Sequence, residues 1–205
     1  MRTLEWRTKD KSAWGPGPWQ EEPDKRQWQD EATGLPCLIV RNNGGALCGY
    51  VGVPKGHPDH GKDYDAVDVD VHGGLTFADT CVELTPDAWE KSRARLEGRR
   101  DEAKEYPRGD AARDIAEWSG AMGSYEAWLD KARGRYICHL PEPGEPDDVW
   151  WLGFDCAHLG DTTPAYDAQD SGRRFARDGY YKNFCYVEAQ VRSLAEQLAA
   201  RCGAE

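Results

Sequence analysis

From Asp65 to Phe77 the chain reads Asp-Ala-Val-Asp-Val-Asp-Val-His-Gly-Gly-Leu-Thr-Phe, and no other stretch constrains the fold as much. Successive side chains of an extended chain point to opposite faces, so Val67, Val69 and Val71 share one face while Asp68, Asp70 and His72 share the other. This alternation predicts a strand over 66–78 that borders a core. Gly73 and Gly74 remove side chains where the strand ends, which lets the backbone turn or another group come close. Asp68 and Asp70 on one face, with Asp63 and Asp65 just before them, need a cation, a basic partner or full solvation. The polar face is therefore either the solvated side of a sheet or the wall of a site.

Strand partners are visible on both sides. Leu35-Pro-Cys-Leu-Ile-Val-Arg41 and Ala46-Leu-Cys-Gly-Tyr-Val-Gly-Val53 flank Asn42-Asn-Gly-Gly45, whose residues tolerate positive φ, so a tight hairpin is expected. Val149-Trp-Trp-Leu-Gly-Phe-Asp-Cys-Ala-His158 is an apolar run that suits a fourth strand, near 149–156. From Tyr181 to Arg201, Phe184, Val187, Val191, Leu194, Ala195 and Leu198 recur at helical spacing and predict an amphipathic helix against the sheet. Thr85-Pro86-Asp87 opens a helix expected over about 86–104, with further helical stretches near Ile115 and Trp118 and near Tyr125, Trp128 and Leu129. The fold class is α+β: a mainly antiparallel sheet packed by a C-terminal helix, with a helical insertion over 86–147. One domain over 1–205 is expected. Residues 1–35, rich in Trp, Pro and Gly, are read as an irregular arm stapled down by Trp6, Trp14, Trp19 and Trp28. Leu140 to Asp148 is read as a Pro-rich connector, and 162–180 as irregular with a basic cluster at Arg173, Arg174 and Arg177.

Charge narrows the partners. The net charge is −11, and between His57 and Glu90 the acids oppose Lys62 alone, so ordinary nucleic-acid binding is disfavoured. No run reaches membrane-spanning length and the first residues lack the apolar stretch of a secretory signal, which predicts a cytoplasmic, membrane-free protein. The chain carries seven cysteines; an odd number with no C-x-x-C pair signals neither a disulfide framework nor a zinc finger.

Chemistry-bearing residues gather at three places: His57, His60, Asp63 and Tyr64 on the loop from Pro54 to Tyr64; Asp70, His72, Gly73 and Gly74 after the alternating stretch; and Asp155, His158 and Asp161 after the last strand. If the strands are neighbours, carboxylates and imidazoles converge, and Asp70, His72, Asp155 and His158 form a set that could hold a divalent metal such as Mn, Fe or Zn. His72 and His158 are expected within reach of one ligand, oriented by Asp70 and Asp155. Cys156 lies two residues from His158, a weak sign of covalent chemistry because such pairs are defined in space. His72-Gly73-Gly74 lacks the G-x-S-x-G elbow that would make it an esterase oxyanion loop.

The stretches Gly56-His57-Pro58 with Gly61-Lys62-Asp63-Tyr64-Asp65, then Val69-Asp70-Val71-His72-Gly73-Gly74-Leu75-Thr76-Phe77, then Gly153-Phe154-Asp155-Cys156-Ala157-His158 with Gly160-Asp161, resemble a family of uncharacterised proteins encoded by bacteriophages and prophages. The likeness extends to Glu22-Pro23-Asp24-Lys25 and Gly34-Leu35-Pro36-Cys37. It implies a phage setting in the cytoplasm of a host cell, and no catalytic assignment. Two readings follow. In one, the chain is an accessory protein that binds a host small molecule or host protein, in a counter-defence role, through a His/Asp-lined pocket. In the other it is a metal-dependent hydrolase on the same cluster, with a histidine as general base. A third is an acidic mimic of nucleic acid.

Overall fold

The computed structural model describes residues 2–81, 84–107, 110–135, 139–140, 148–169 and 179–202. Packing divides the chain into a sheet unit, Met1–Cys81 with Gly134–Glu205, and a helical unit, Val82–Arg133. The Arg173, Arg174 and Arg177 cluster and most of the Pro-rich connector lie outside the described residues.

The sheet unit is a six-stranded antiparallel sheet in the order β1-β2-β3-β4-β6-β5. Its strands are β1 (Leu4–Trp6), β2 (Lys25–Gln29), β3 (Pro36–Arg41), β4 (Leu47–Val53), β5 (Phe77–Thr80) and β6 (Trp150–Asp155). The expected hairpin joins β3 to β4: Asn42 Oδ1 accepts from the Ala46 N–H at 3.1 Å and Gly45 takes φ +89°. Alternation then sorts the side chains of β3, β4 and β6. Ile39, Leu47, Val51, Leu152 and Phe154 point into one core, while Leu38, Val40, Tyr50 and Trp151 line the opposite face. The first core is closed by the C-terminal helix, whose Phe184, Val187, Val191, Leu194, Ala195 and Leu198 are all buried. Each larger apolar side chain contributes about 1.5–3 kcal/mol on full burial, so this stripe is what fixes the helix to β3 and β4. Asn183 starts the helix by accepting the Tyr186 N–H on Oδ1 at 3.0 Å.

The N-terminal segment is not the irregular arm expected. β1 pairs with β2, and β2 pairs with β3 through Gln27↔Leu38 and Lys25↔Val40. Hydrophobic periodicity could not reveal a strand that buries Lys25 and Gln27 on one face and has Trp28 alone in the core on the other. Their polar groups are met individually: the Gln27 amide exchanges hydrogen bonds with the Leu140 backbone at 2.8 and 3.0 Å, and the Lys25 ammonium lies 4.9 Å from the Trp6 ring centroid. Just upstream, the buried Asp24 carboxylate accepts from the Thr8 and Lys9 N–H groups, the Lys11 ammonium and the Arg41 guanidinium. Burial raises its pKa, but these donors outweigh burial and hold it below the usual carboxylate value. Glu22 binds Arg41, the Tyr181 hydroxyl and the Phe184 N–H. The Glu22-Pro23-Asp24-Lys25 motif thus ties the chain start to the sheet and the last helix.

The alternating stretch is the second correction. Residues 68–71 join no strand and His72-Gly73 form a turn, so only Phe77–Thr80 pairs as a strand, antiparallel to β6. Val67 and Val71 are buried and Val69 packs against the same core, so the face that alternation assigned to the interior is interior. What replaces the partner strand is a stripe of helix side chains. Gln197 Oε1 accepts the Asp70 N–H at 2.7 Å and its Nε2 donates to the Asp70 carbonyl at 2.8 Å. Gln190 accepts the His72 N–H at 2.9 Å, and Arg201 donates to the Asp68 carbonyl at 3.1 Å. Backbone polarity is satisfied without a ladder.

The helical unit holds α1 (Pro86–Gly98), α2 (Arg100–Glu105), α3 (Asp110–Trp118) and α4 (Tyr125–Arg133). Thr85 caps α1 by accepting the Ala88 N–H at 3.2 Å, as expected, but the single helix foreseen over 86–104 breaks at Arg99, where φ −89° and ψ 1° leave the helical region. In the sheet unit, α5 (Pro164–Gln169) occupies part of the 162–180 span read as irregular, and the C-terminal helix is α6 (Phe184–Arg201). Among the described residues no helix is long and apolar enough to cross a membrane.

Candidate functional site

Three chain segments meet at Asp161. β6 ends at Asp155, and a tight turn through Gly160, φ +94°, brings Asp161 back under His158. The turn is stitched to Tyr180, whose N–H donates to the Gly160 carbonyl at 3.0 Å and whose carbonyl accepts the Thr162 N–H at 3.3 Å. Asp161 is buried, its side chain only 4% exposed, and its Oδ2 accepts both the His158 backbone N–H at 3.0 Å and the His72 imidazole Nε2–H at 2.8 Å. Lys182 stands 3.6 Å from Oδ1. A carboxylate only accepts, so His72 carries a proton on Nε2 and turns Nδ1 toward the Tyr186 hydroxyl, 3.1 Å away. The result is an Asp161–His72–Tyr186 chain ordered at both ends of the imidazole.

The His158 ring lies 5.5 Å from the His72 ring, tilted at 54°. The two imidazoles expected to meet therefore do so. His158 reaches this place by packing on Gly73: a Cβ there would sit 2.0 Å from His158 Nε2, and the backbone holds φ +68°, so both space and conformation require glycine. Among the described residues His158 Nε2 is buried without a hydrogen-bond partner, 3.8 Å from Asp155 Oδ1. Asp155 itself is committed elsewhere, accepting the Ala157 N–H at 2.8 Å and the Thr76 hydroxyl at 3.1 Å.

Several proposed site residues are placed differently. Asp70 is exposed and reaches no histidine; its backbone, rather than its carboxylate, is engaged, and the carboxylate that orients His72 is Asp161. His57 is a core residue: its side chain is 1% exposed, Nδ1 accepts the Asp59 N–H at 3.0 Å and Nε2 donates to the Leu198 carbonyl at 3.0 Å. Asp63 caps the 3-10 turn Tyr64–Ala66 by accepting the Tyr64 N–H, and Tyr64 is 44% exposed on that turn. Neither makes a contact with the His72 cluster among the described residues. Gly74 takes φ +82° in open space and donates its N–H to the Val71 carbonyl, so it shapes the turn. His60 donates its Nε2–H to the Asp148 carbonyl at 3.3 Å.

The metal set Asp70, His72, Asp155 and His158 is not assembled. Among the described residues no three His, Cys, Asp or Glu side chains are arranged to hold an ion. The reason is geometric: both His72 nitrogens are taken by Asp161 and Tyr186, and Asp70 faces away. Cys156 is equally unsuited to attack, because it is buried and burial pushes its thiol far above the ordinary range.

Residues that sequence reasoning missed complete the surface. Tyr186 contacts the His72 ring edge-on at 5.7 Å, and the Lys182 ammonium lies 5.4 Å from the Tyr186 ring and 5.9 Å from the Tyr180 ring. Around them Leu159 is 96% exposed, Tyr180 75% and Tyr186 38%. Tyr186, Gln190, Gln197 and Arg201 fall at i, i+4, i+11 and i+15 of one helix, a stripe flanking the apolar one. That periodic polar stripe was the available signal. Comparison of the chain with protein-family models, with curated proteins and with solved structures finds no match.

Proposed function

We propose that the chain is a non-catalytic binding protein, the phage-encoded accessory protein that its motifs resemble, and that it engages a host small molecule or host protein through the His72, His158, Tyr186 and Lys182 surface. The observation that carries this reading is the exposure of Leu159, at 96%, and Tyr180, at 75%, beside the His72 imidazole held by a buried carboxylate and the neighbouring His158 ring. Exposed apolar and aromatic side chains cost solvation in the free protein, and aromatic residues next to fixed polar groups are the composition of recognition surfaces. Binding also fits the chemistry. The cluster offers donors and acceptors at fixed positions, with the Tyr186 hydroxyl and the Asp161 carboxylate at the two ends of the His72 ring.

The test is site-specific photo-crosslinking in the bacterial host, with a benzophenone side chain replacing Leu159 and, as control, Tyr106, which is 60% exposed on the helical unit. The expected result is a discrete adduct from position 159 that disappears with His158→Ala and is absent from position 106. Native mass spectrometry of the same protein reports a small co-purifying ligand. Identical adduct patterns from both positions, unaffected by the histidine substitution and with no bound small molecule, would overturn the reading.

A further inference from the structure

We propose a second ligand site, wholly within the helical unit and independent of the His72 surface: a cavity that takes a small monocarboxylate with an apolar body. The cavity measures about 340 Å³ and lies among α1, α2, α3 and the turn that follows α3. That volume is at the small end of the roughly 300–1,000 Å³ range of ligand sites. Its apolar wall is Leu96, Ile115 and Met122, none of them fully buried. α1 and α2 bury no residue completely, so these side chains face space that the unit does not fill by itself. Apolar surface of this kind gains by meeting an apolar ligand body.

The charged groups on the rim define the head group. Arg93 lies over the Trp89 ring and is paired with Glu90 at 2.8 Å, which leaves its aliphatic stem to the cavity. Lys91, Arg99 and Lys104 likewise each hold a carboxylate. Arg100, also on the rim, has no ion pair among the described residues. A guanidinium without a partner presents a planar fork suited to a carboxylate. Glu97 occupies the same rim, three residues before Arg100, and its charge opposes a doubly ionised phosphate more than a single carboxylate. Ser119 adds a hydroxyl to the lining. One cation without an ion pair among the described residues, one opposing acid and an apolar floor together select a monoanion with a hydrocarbon or aromatic body.

The experiment titrates octanoate, octylammonium and 1-octanol separately into the full chain by isothermal calorimetry. Saturable one-to-one binding of octanoate is expected, with octylammonium weaker by about tenfold or more, the worth of a charge-assisted hydrogen bond. Arg100→Gln should weaken octanoate by about the same factor while leaving 1-octanol unchanged, because it removes the charge and not the apolar wall. Met122→Trp should block all ligands by filling the cavity. Arg100 is exposed, so its variant keeps the test valid even if Met122→Trp fails to fold. His72→Ala should leave octanoate binding unaltered, which separates this site from the first. Equal binding of octanoate and octylammonium, wild-type octanoate binding by Arg100→Gln, or no saturable heat from butanoate through decanoate would each overturn the proposal.

Discussion

The loop 54–66 and the segment 67–76 rest on the same helix, yet the hydrogen bonds that hold them run in opposite directions. In the loop, side chains reach for the helix: the His57 imidazole donates to the Leu198 carbonyl, and Asp59 accepts both arms of Arg201 at 2.6 and 3.2 Å. In the segment, helix side chains reach for the backbone, through Gln190, Gln197 and Arg201. The first arrangement uses up the His57 and Asp59 side chains. The second leaves those of Asp68 and Asp70 exposed and frees His72 to join Asp161 and Tyr186. Two histidines in similar Gly- and Asp-rich surroundings therefore become scaffold or surface according to which partner supplies the backbone's hydrogen bonds.

The largest effect should come from His57→Ala. It opens a cavity at a 1% exposed side chain and strips partners from the Asp59 N–H and the Leu198 carbonyl. A loss of about 3 kcal/mol is expected from these two costs combined, read as a lower urea midpoint with an unchanged slope. A wild-type midpoint would erase the distinction between the two regions.

Gly73→Ala should come next, at about 1–3 kcal/mol for the strained backbone together with the clash against His158. Gly74→Ala is its control, since Gly74 has φ +82° but nothing within 4 Å of an added Cβ. Only Gly73→Ala should also shift the His158 imidazole resonances. Equal cost and equal spectra for the two variants would show that the ring does not rest on residue 73.

A smaller effect is expected from acid. Burial raises the Asp59 pKa, but hydrogen bonds from Lys62 and Arg201 outweigh it and hold the carboxyl below its ordinary value. A depressed folded value means that the stabilisation is fully present above the unfolded pKa, near pH 4, and is lost as the pH falls through the folded one. Asp59→Asn should then be less stable than wild type at neutral pH and should flatten the acid side of the stability profile. An acid limb identical to that of wild type would assign it to other carboxylates, such as Asp24.

Much of the frame was legible because apolar patterning drives it. β3, β4, β6 and α6 were all marked by runs or periodicity, and the six apolar positions of α6 are all buried. β2 was not legible, since Lys25 and Gln27 are buried through particular partners that no local pattern announces. The 66–76 stretch was half legible: alternation revealed its buried face but could not distinguish a neighbouring strand from helix glutamines. Within the candidate site, the meeting of His72 with His158 followed from two segment ends lying side by side. The choice of Asp161 over Asp70 did not, because it depends on the turn at Gly160 that folds Asp161 back beneath His158.

The smallest stability effect is reserved for His72→Ala, and it is the sharpest test of the comparison. The His72 side chain is 16% exposed, and its loss leaves Asp161 still accepting the His158 N–H and facing Lys182. One partly exposed hydrogen bond is worth about 1 kcal/mol or less, so the protein should melt within a few degrees of wild type. The adduct formed from position 159 should nevertheless disappear, because Tyr186 and Asp161 lose the ring that links them. The two histidine variants should thus fail in opposite ways, His57→Ala losing stability while the folded fraction still binds, and His72→Ala losing binding while the fold remains. If His72→Ala unfolds as readily as His57→Ala and its folded fraction still gives the adduct, His72 is a second scaffold histidine and the binding surface does not include it.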